Sequence, residues 1–239
     1  KEQRGAKRDI DLPPEDLTDD RLLWHLPRSA FNRPMIGGIP ILRRIGKGAM
    51  GAVYYAIDDG HEVAVKILPP SLVQEDPQLA DRFVSEGKLA MSIQSDHVVK
   101  VFDVDKDHDT QYIVMEYVHG LTAKGYQKRV GRPGLTEGES LEIAIAATRG
   151  LAAAHRAGII HRDIKPDNIL IPDGRLAASK VADLGLAKPT WGGESVGTKT
   201  ALLLGTPGFM APEQAEDSKH AGPAADVFAM GATLQFLLT

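Results

Sequence analysis

The residues best suited to chemistry lie in the stretch His161-Arg162-Asp163-Ile164-Lys165-Pro166-Asp167-Asn168. Moving a phosphoryl group requires an acceptor hydroxyl held in line, neutralised charge on the terminal phosphate, and a metal ion held against the phosphates. Asp163 can accept the proton of a hydroxyl, Lys165 can sit on a terminal phosphate, and Asn168 offers a neutral oxygen to Mg2+. Asp183, in Asp183-Leu184-Gly185 after an apolar strand-like run, adds the hard anionic oxygen that Mg2+ prefers. A polar surface loop whose Asp and Asn cap turns explains any one of these residues, but not the ordered set.

Two further groups fit the same chemistry. Gly46-Lys47-Gly48-Ala49-Met50-Gly51-Ala52-Val53 spaces three glycines so that backbone N–H groups can approach phosphate oxygens without a Cβ in the way. An ordinary glycine-rich hairpin turn accounts for the same residues. A dinucleotide-binding loop would need a helix directly after the glycines, whereas Val53, Tyr54, Tyr55 and Ile57 favour a strand. Lys66 lies within the apolar run Val63–Leu68, where an unpaired ammonium is costly. An edge strand with the amine reaching water would relieve that cost. A paired carboxylate would too. Leu79, Phe83, Glu86, Ala90 and Ile93 share one helical face, and Glu86 is its one charge.

Elements to position these groups can be read along the chain. Residues 1–38 are polar, with Pro13, Pro14, Pro27 and Pro34, and read as an extension or linker with one short helix near Leu17–Leu26. Strands are expected at Ile39–Gly46, Ala52–Ile57, Glu62–Leu68, Val98–Val104 and Gln111–Val118. A helix should start at Asp76-Pro77 and run to about Ile93. Beyond it, a long helix is expected over Leu141–Ala157, short strands at Ile169–Ile171 and Lys180–Ala182, and a final helix from near Ala224. Strands first and helices later predict an α+β, two-lobed protein: a five-stranded antiparallel N-lobe with one helix over 39–118 and a mainly helical C-lobe over 119–239.

Composition narrows the class. The chain of 239 residues is 43% hydrophobic and 25% charged, a soluble globular profile. A net charge of -4 gives no global reason to expect nucleic acid, and without cysteine there are no disulfides or thiolate metal sites. Arg149, His155 and Arg156 interrupt the longest apolar run, so no membrane span is expected.

The motifs, in their order, resemble those of the eukaryotic-like serine/threonine protein kinases, in their bacterial branch. The resemblance runs from about Ile39 to Thr239 through the glycine loop, Ala64-Val65-Lys66, Glu86, the His-Arg-Asp loop, Asp-Leu-Gly and Ala211-Pro212-Glu213. It implies transfer of the γ-phosphate of ATP to Ser or Thr hydroxyls of proteins, with Mg2+ or Mn2+. Gly46, Lys47, Gly48 and Gly51 would lie on the phosphates, and Lys66, paired with Glu86, would hold phosphate oxygens. Val53, Ala64 and Leu170 would sandwich adenine, beside Met115 and the backbone of Glu116 and Val118, although core packing accounts for the same apolar residues.

Lys165 and Thr206 point to Ser/Thr specificity, and Asp226 to an anchor for the catalytic loop. Ser195, Thr198 and Thr200 lie in the expected activation segment, where phosphate could pair with Arg162 and order it; a plain hydroxyl-rich loop fits equally. Leu184 departs from the commoner Phe. Family members also continue with several helices, so the resemblance implies a chain that stops before the domain is complete. It further implies a cytoplasmic location, alone or as part of a membrane-tethered protein, and self-association for autophosphorylation. An inactive nucleotide-binding or scaffolding fragment and a small-molecule kinase are the competing readings.

Overall fold

The protein is described by a computed structural model covering residues 17, 20–48, 50–184, 208–216 and 221–239. These form two compact units, one taking in the chain up to Val84 with Val101–Tyr117, the other Ser85–Lys100 with Val118–Thr239.

The first unit is built on six strands: β1 (Met35–Ile36), β2 (Ile39–Gly48), β3 (Gly51–Asp58), β4 (His61–Ile67), β5 (Val101–Asp107) and β6 (Thr110–Glu116). They form one antiparallel sheet in the order β1-β2-β3-β4-β6-β5. The five expected strands are present. The additional β1 folds back on β2 through Gly37 and Gly38, whose φ of 56° and 78° suit a tight hairpin turn.

Strand alternation sends Ala52, Tyr54, Ala56, Val63, Val65, Ile67, Tyr112 and Val114 to one face of the sheet. Leu17, Leu23, Leu26 and Ile36 pack there in the same apolar cluster. Residues read as an extension or linker therefore help to build this core. Their few apolar side chains are too widely spaced to show a period, and only the folded sheet supplies the surface they cover. The short helix expected near Leu17–Leu26 is a single 3-10 turn, Arg21–Leu23.

Pro69 and Pro70 end β4, as expected, and Pro70 also opens an unexpected helix, α1 (Pro70–Glu75). The helix α2 (Gln78–Met91) follows, with the Gln78 N–H donating to Asp76 Oδ1 at 3.1 Å. Leu79, Phe83 and Ala90 are its buried apolar side chains, as the periodicity predicted.

The second unit contains β7 (Gly120–Thr122), α3 (Ala123–Val130), α4 (Glu137–Arg156), β8 (Ile169–Pro172), β9 (Lys180–Val181), α5 (Pro212–Glu216) and α6 (Pro223–Leu238). β7, β8 and β9 make a small sheet. The unexpected α3 is bounded by ordinary signals: Thr122 accepts from the Gly125 N–H at 3.0 Å, and Gly131 closes the helix at φ 71°. A reciprocal cap between Thr136 and Glu139 starts α4. The Thr136 hydrogen bonds, with Arg132 close by, hold the Glu139 carboxyl below its usual range.

Val98 does not join β5. It bridges to Val181, with the Val99 N–H donating to the Val181 carbonyl at 2.9 Å and the Val181 N–H to the His97 carbonyl at 2.8 Å. Gly150 on α4 permits this, because a Cβ there would collide with the His97 carbonyl oxygen.

Candidate active site

Asp226 organises the catalytic-loop region. It is wholly buried on α6, a helix with no other charged residue, and its carboxylate accepts three hydrogen bonds. Oδ2 takes the His161 N–H at 2.9 Å and the His155 Nε2–H at 2.7 Å, and Oδ1 takes the Arg162 N–H at 2.7 Å. A buried carboxylate with three donors is satisfied, and two of them are backbone groups, so the loop itself is held.

That grip sustains an unusual backbone. Arg162 has φ 62°, a left-handed conformation uncommon for a residue with a β-carbon. Its N–H is taken by Asp226, and its carbonyl accepts from Gln214 Nε2 at 3.1 Å. His161 fixes the next turn. The Asp163 N–H donates to Nδ1 at 3.3 Å, so the proton is on Nε2, which donates to the Ala182 carbonyl at 2.8 Å.

Three predicted chemical groups converge on this frame. Asp163 Oδ2 lies 3.0 Å from Lys165 Nζ and accepts from Asn168 Nδ2 at 3.1 Å. Asn168 Nδ2 also donates to the Asp163 carbonyl at 2.8 Å. Both neighbours are acceptors, so the amide nitrogen must face them, which leaves Oδ1 with lone pairs to offer a cation. Asp183 follows β9 at φ 57°, and the preceding Ala182 N–H donates to the Asn168 carbonyl at 2.9 Å. Among the described residues, no cluster of three or more His, Asp or Glu could hold a metal alone. Asp183 and Asn168 instead fit Mg2+ that keeps phosphate and water as its other ligands.

In the first unit, β2 and β3 pair out to Gly48 and Gly51. Gly51 is required by the fold: at φ 124° a Cβ would collide with the Ile67 carbonyl oxygen. Gly46 and Gly48 are not, since a Cβ there would meet nothing nearer than 3.8 Å and 4.0 Å respectively. Two glycines that packing does not demand fit a backbone kept bare for a phosphate group. Lys47 lies between them and is exposed.

Lys66 is 8% exposed on β4, between β3 and β6, so the edge-strand reading is excluded. It pairs with Val53 and Ile113, and Ala64 with Tyr55 and Met115. Cross-strand partners share a face, so Val53, Ala64, Lys66 and Met115 stand together on the face opposite the apolar cluster. Tyr55 shares it, with its hydroxyl donating to Glu62 Oε1 at 2.6 Å; burial, that bond and the Glu62 charge push its pKa up to about 12.

Glu116 ends β6 and Val118 follows it, Leu170 is half-buried on β8, and Glu86 is half-buried on α2. Ser195, Thr198, Thr200 and Thr206 lie outside the described residues. His155 and Gln214 were not foreseen as supports, because nothing in their spacing marks them, and His161 was marked only as part of the His-Arg-Asp loop. The left-handed Arg162 and Asp183 are also visible only in the backbone.

A mixed sheet-and-helix architecture with a carboxylate–lysine–asparagine loop, a neighbouring metal-suited aspartate and a bare glycine hairpin is that of protein kinases. The chain belongs to the protein kinase domain family, which it matches over residues 40–239. It is 36% identical over 208 residues to a probable serine/threonine-protein kinase, pknA2, of Bifidobacterium longum, covering 85% of this chain and 26% of that protein. It is 36% identical over 203 residues to the serine/threonine-protein kinase PknA of Mycobacterium tuberculosis, covering 82% of this chain and 45% of that one. The chain thus spans between a quarter and a half of these relatives. Among solved structures, the PknI kinase domain of Mycobacterium tuberculosis is similar at a TM-score of 0.67 and 26% identity, over 85% of this chain and 75% of that one.

Proposed function

We propose that this chain transfers the γ-phosphate of ATP to Ser or Thr hydroxyls of proteins. The observation that carries the reading is Asp163, which shares Oδ2 with Lys165 and Asn168 on a loop gripped by Asp226. Asp163 orients the acceptor hydroxyl and takes its proton. Lys165 moves from the carboxylate to the terminal phosphate as the phosphate arrives, and Lys66 holds the inner phosphates. Glu86 acts with Lys66. The bare backbone at Gly46 and Gly48 lies along the phosphates, with Gly51 closing the hairpin and Lys47 adding charge. Val53, Ala64, Met115 and Leu170 flank adenine, and the backbone of Glu116 and Val118 bonds its edge.

Asn168 Oδ1 and Asp183 hold Mg2+ or Mn2+, which supplies charge neutralisation along the phosphates when bound. Phosphate on Thr198 or Thr200, with Ser195 as a further acceptor, orders the activation segment through Arg162, while Thr206 serves Ser/Thr acceptors. Among the described residues, no helix is long and apolar enough to cross a membrane. The reading extends to a cytoplasmic location, protein substrates and transient pairing of two copies for autophosphorylation, with no nucleic-acid partner.

The test is autophosphorylation with ATP and Mg2+, beside Asp163→Asn. The parent should carry phosphate on Ser or Thr. The variant should bind ATP equally and transfer about 10²–10⁴-fold more slowly. A folded parent that binds ATP and transfers none to itself or to protein acceptors overturns the reading in favour of a nucleotide-binding scaffold.

A further inference from the structure

One buried carboxylate has no part in the proposed chemistry. Asp20 is 6% exposed, just before the 3-10 turn Arg21–Leu23. Oδ1 accepts from the Leu22 N–H at 3.2 Å, while Oδ2 accepts from the Tyr54 hydroxyl at 2.7 Å and from Arg44 Nη1 at 3.1 Å. A buried charge is tolerated where it is paired and hydrogen-bonded, as here. Tyr54 is itself fully buried, and burial together with the Asp20 carboxylate drives its hydroxyl well above the usual tyrosine range.

The two side chains held by Asp20 are partners in the ladder. Arg44 on β2 lies opposite Tyr54 on β3, and the next pair outward is Gly46 with Val53. The ladder shifts register between Ile41 and Arg43 and again between Arg44 and Gly46, so its pairing is irregular on both sides of Arg43–Arg44, at the root of the glycine hairpin. Asp20 bridges both strands there, from the face opposite Lys66. Neighbouring apolar residues bring it to this point: Leu17, Leu23, Leu26 and Ile36 share the apolar cluster with Tyr54. His25 Nε2 meets Thr110 Oγ1 at 2.7 Å, and the Met35 N–H donates to the Pro27 carbonyl at 2.8 Å.

We propose that Asp20 is a positioning residue: through Arg44 and Tyr54, the segment before the matched kinase region braces the root of the glycine hairpin in its nucleotide-binding arrangement. The inference rests on the nucleotide role proposed for that hairpin. Loss of the brace leaves the catalytic loop intact and lowers the fraction of molecules with the hairpin in place. Nucleotide affinity falls by that fraction, while turnover at saturating ATP is kept.

The experiment compares Asp20→Asn, Tyr54→Phe and the double variant with the parent, reading ATP affinity by calorimetry and KM and kcat separately. Each single variant should weaken ATP binding about fivefold and raise KM for ATP equally, at unchanged kcat and unchanged KM for a protein acceptor. The double variant should be no weaker than the worse single, because both remove one link. Thr136→Ala, which removes the cap of α4 and touches no part of the brace, should lower thermal stability and leave KM for ATP unaltered.

Unchanged ATP affinity in folded Asp20→Asn and Tyr54→Phe overturns the proposal, as does a matching loss in Thr136→Ala, which would mean general destabilisation. Should Asp20→Asn fail to fold, Tyr54→Phe decides alone. A parent that binds no ATP would instead sink the underlying kinase reading, so the two failures are distinguishable.

Discussion

Two buried carboxylates, Asp226 and Asp20, each hold a functional loop from behind, and they do so differently. Asp226 accepts the backbone N–H groups of His161 and Arg162, so it fixes the main chain of the catalytic loop. Asp20 accepts side-chain donors, Tyr54 and Arg44, at the root of the glycine hairpin, and its backbone donor among the described residues, Leu22, is on its own segment. On the proposed reading the first loop places a base within tenths of an ångström of a hydroxyl, which calls for a rigid main chain. On the proposed reading the hairpin admits and releases a nucleotide, which calls for a brace at its base and freedom at its tip. The catalytic loop even sustains a left-handed arginine, whereas the glycines at 46 and 48 are under no packing demand at all.

The difference can be broken most forcefully at Asp226. Asp226→Ala should strand two buried backbone donors and the His155 side chain, at a cost of about 2–5 kcal/mol in urea unfolding. Activity should fall even below the unfolding midpoint, because Arg162 loses what holds its conformation. Undiminished stability would mean that water or a neighbour replaces the carboxylate, and that the loop does not depend on it.

The hairpin gives the next contrast. Gly51→Ala should cost about 1–3 kcal/mol, since φ 124° and the Ile67 carbonyl both oppose a side chain. Gly48→Ala should change stability by under about 0.5 kcal/mol, yet weaken ATP binding in calorimetry. Equal stability losses at both positions would show that the fold, not a ligand, demands the second glycine.

A smaller effect, distant from both anchors, calibrates the others. Thr136→Ala should cost about 1 kcal/mol by removing the cap of α4. The Glu139 half of that cap titrates. Its carboxyl is held below its usual range in the folded chain, so its contribution is present above the ordinary carboxylate pKa and disappears as pH falls through and below it. Acid unfolding of the Thr136→Ala variant should therefore depend less on pH over that window than the parent. An identical slope would remove Glu139 from the acid response.

Much of the site was legible in linear order. Asp163, Lys165 and Asn168 sit within one short loop, so their meeting needed only a turn, and the helical period that singled out Glu86 also named Leu79, Phe83 and Ala90 as buried. The strands followed from β-branched and aromatic runs between turn residues. Local signals for α1 and α3 were present as well: Pro70 at a first turn, then Thr122 and Gly131 at two ends.

What the sequence by itself determined was the chemistry available and the local elements, because residue type, turn residues and hydrophobic period act over a few neighbouring positions. Tertiary structure alone decided that Lys66 lies on a central strand, that Val98 bridges Val181 beside Gly150, and that Leu17, Leu23, Leu26 and Ile36 belong to the core. It also decided that Asp20 meets Tyr54 across 34 positions and that Asp226 meets Arg162 across 64. Such contacts depend on which buried surfaces and unpaired donors the folded sheet and helices leave to be satisfied, and no local pattern encodes that.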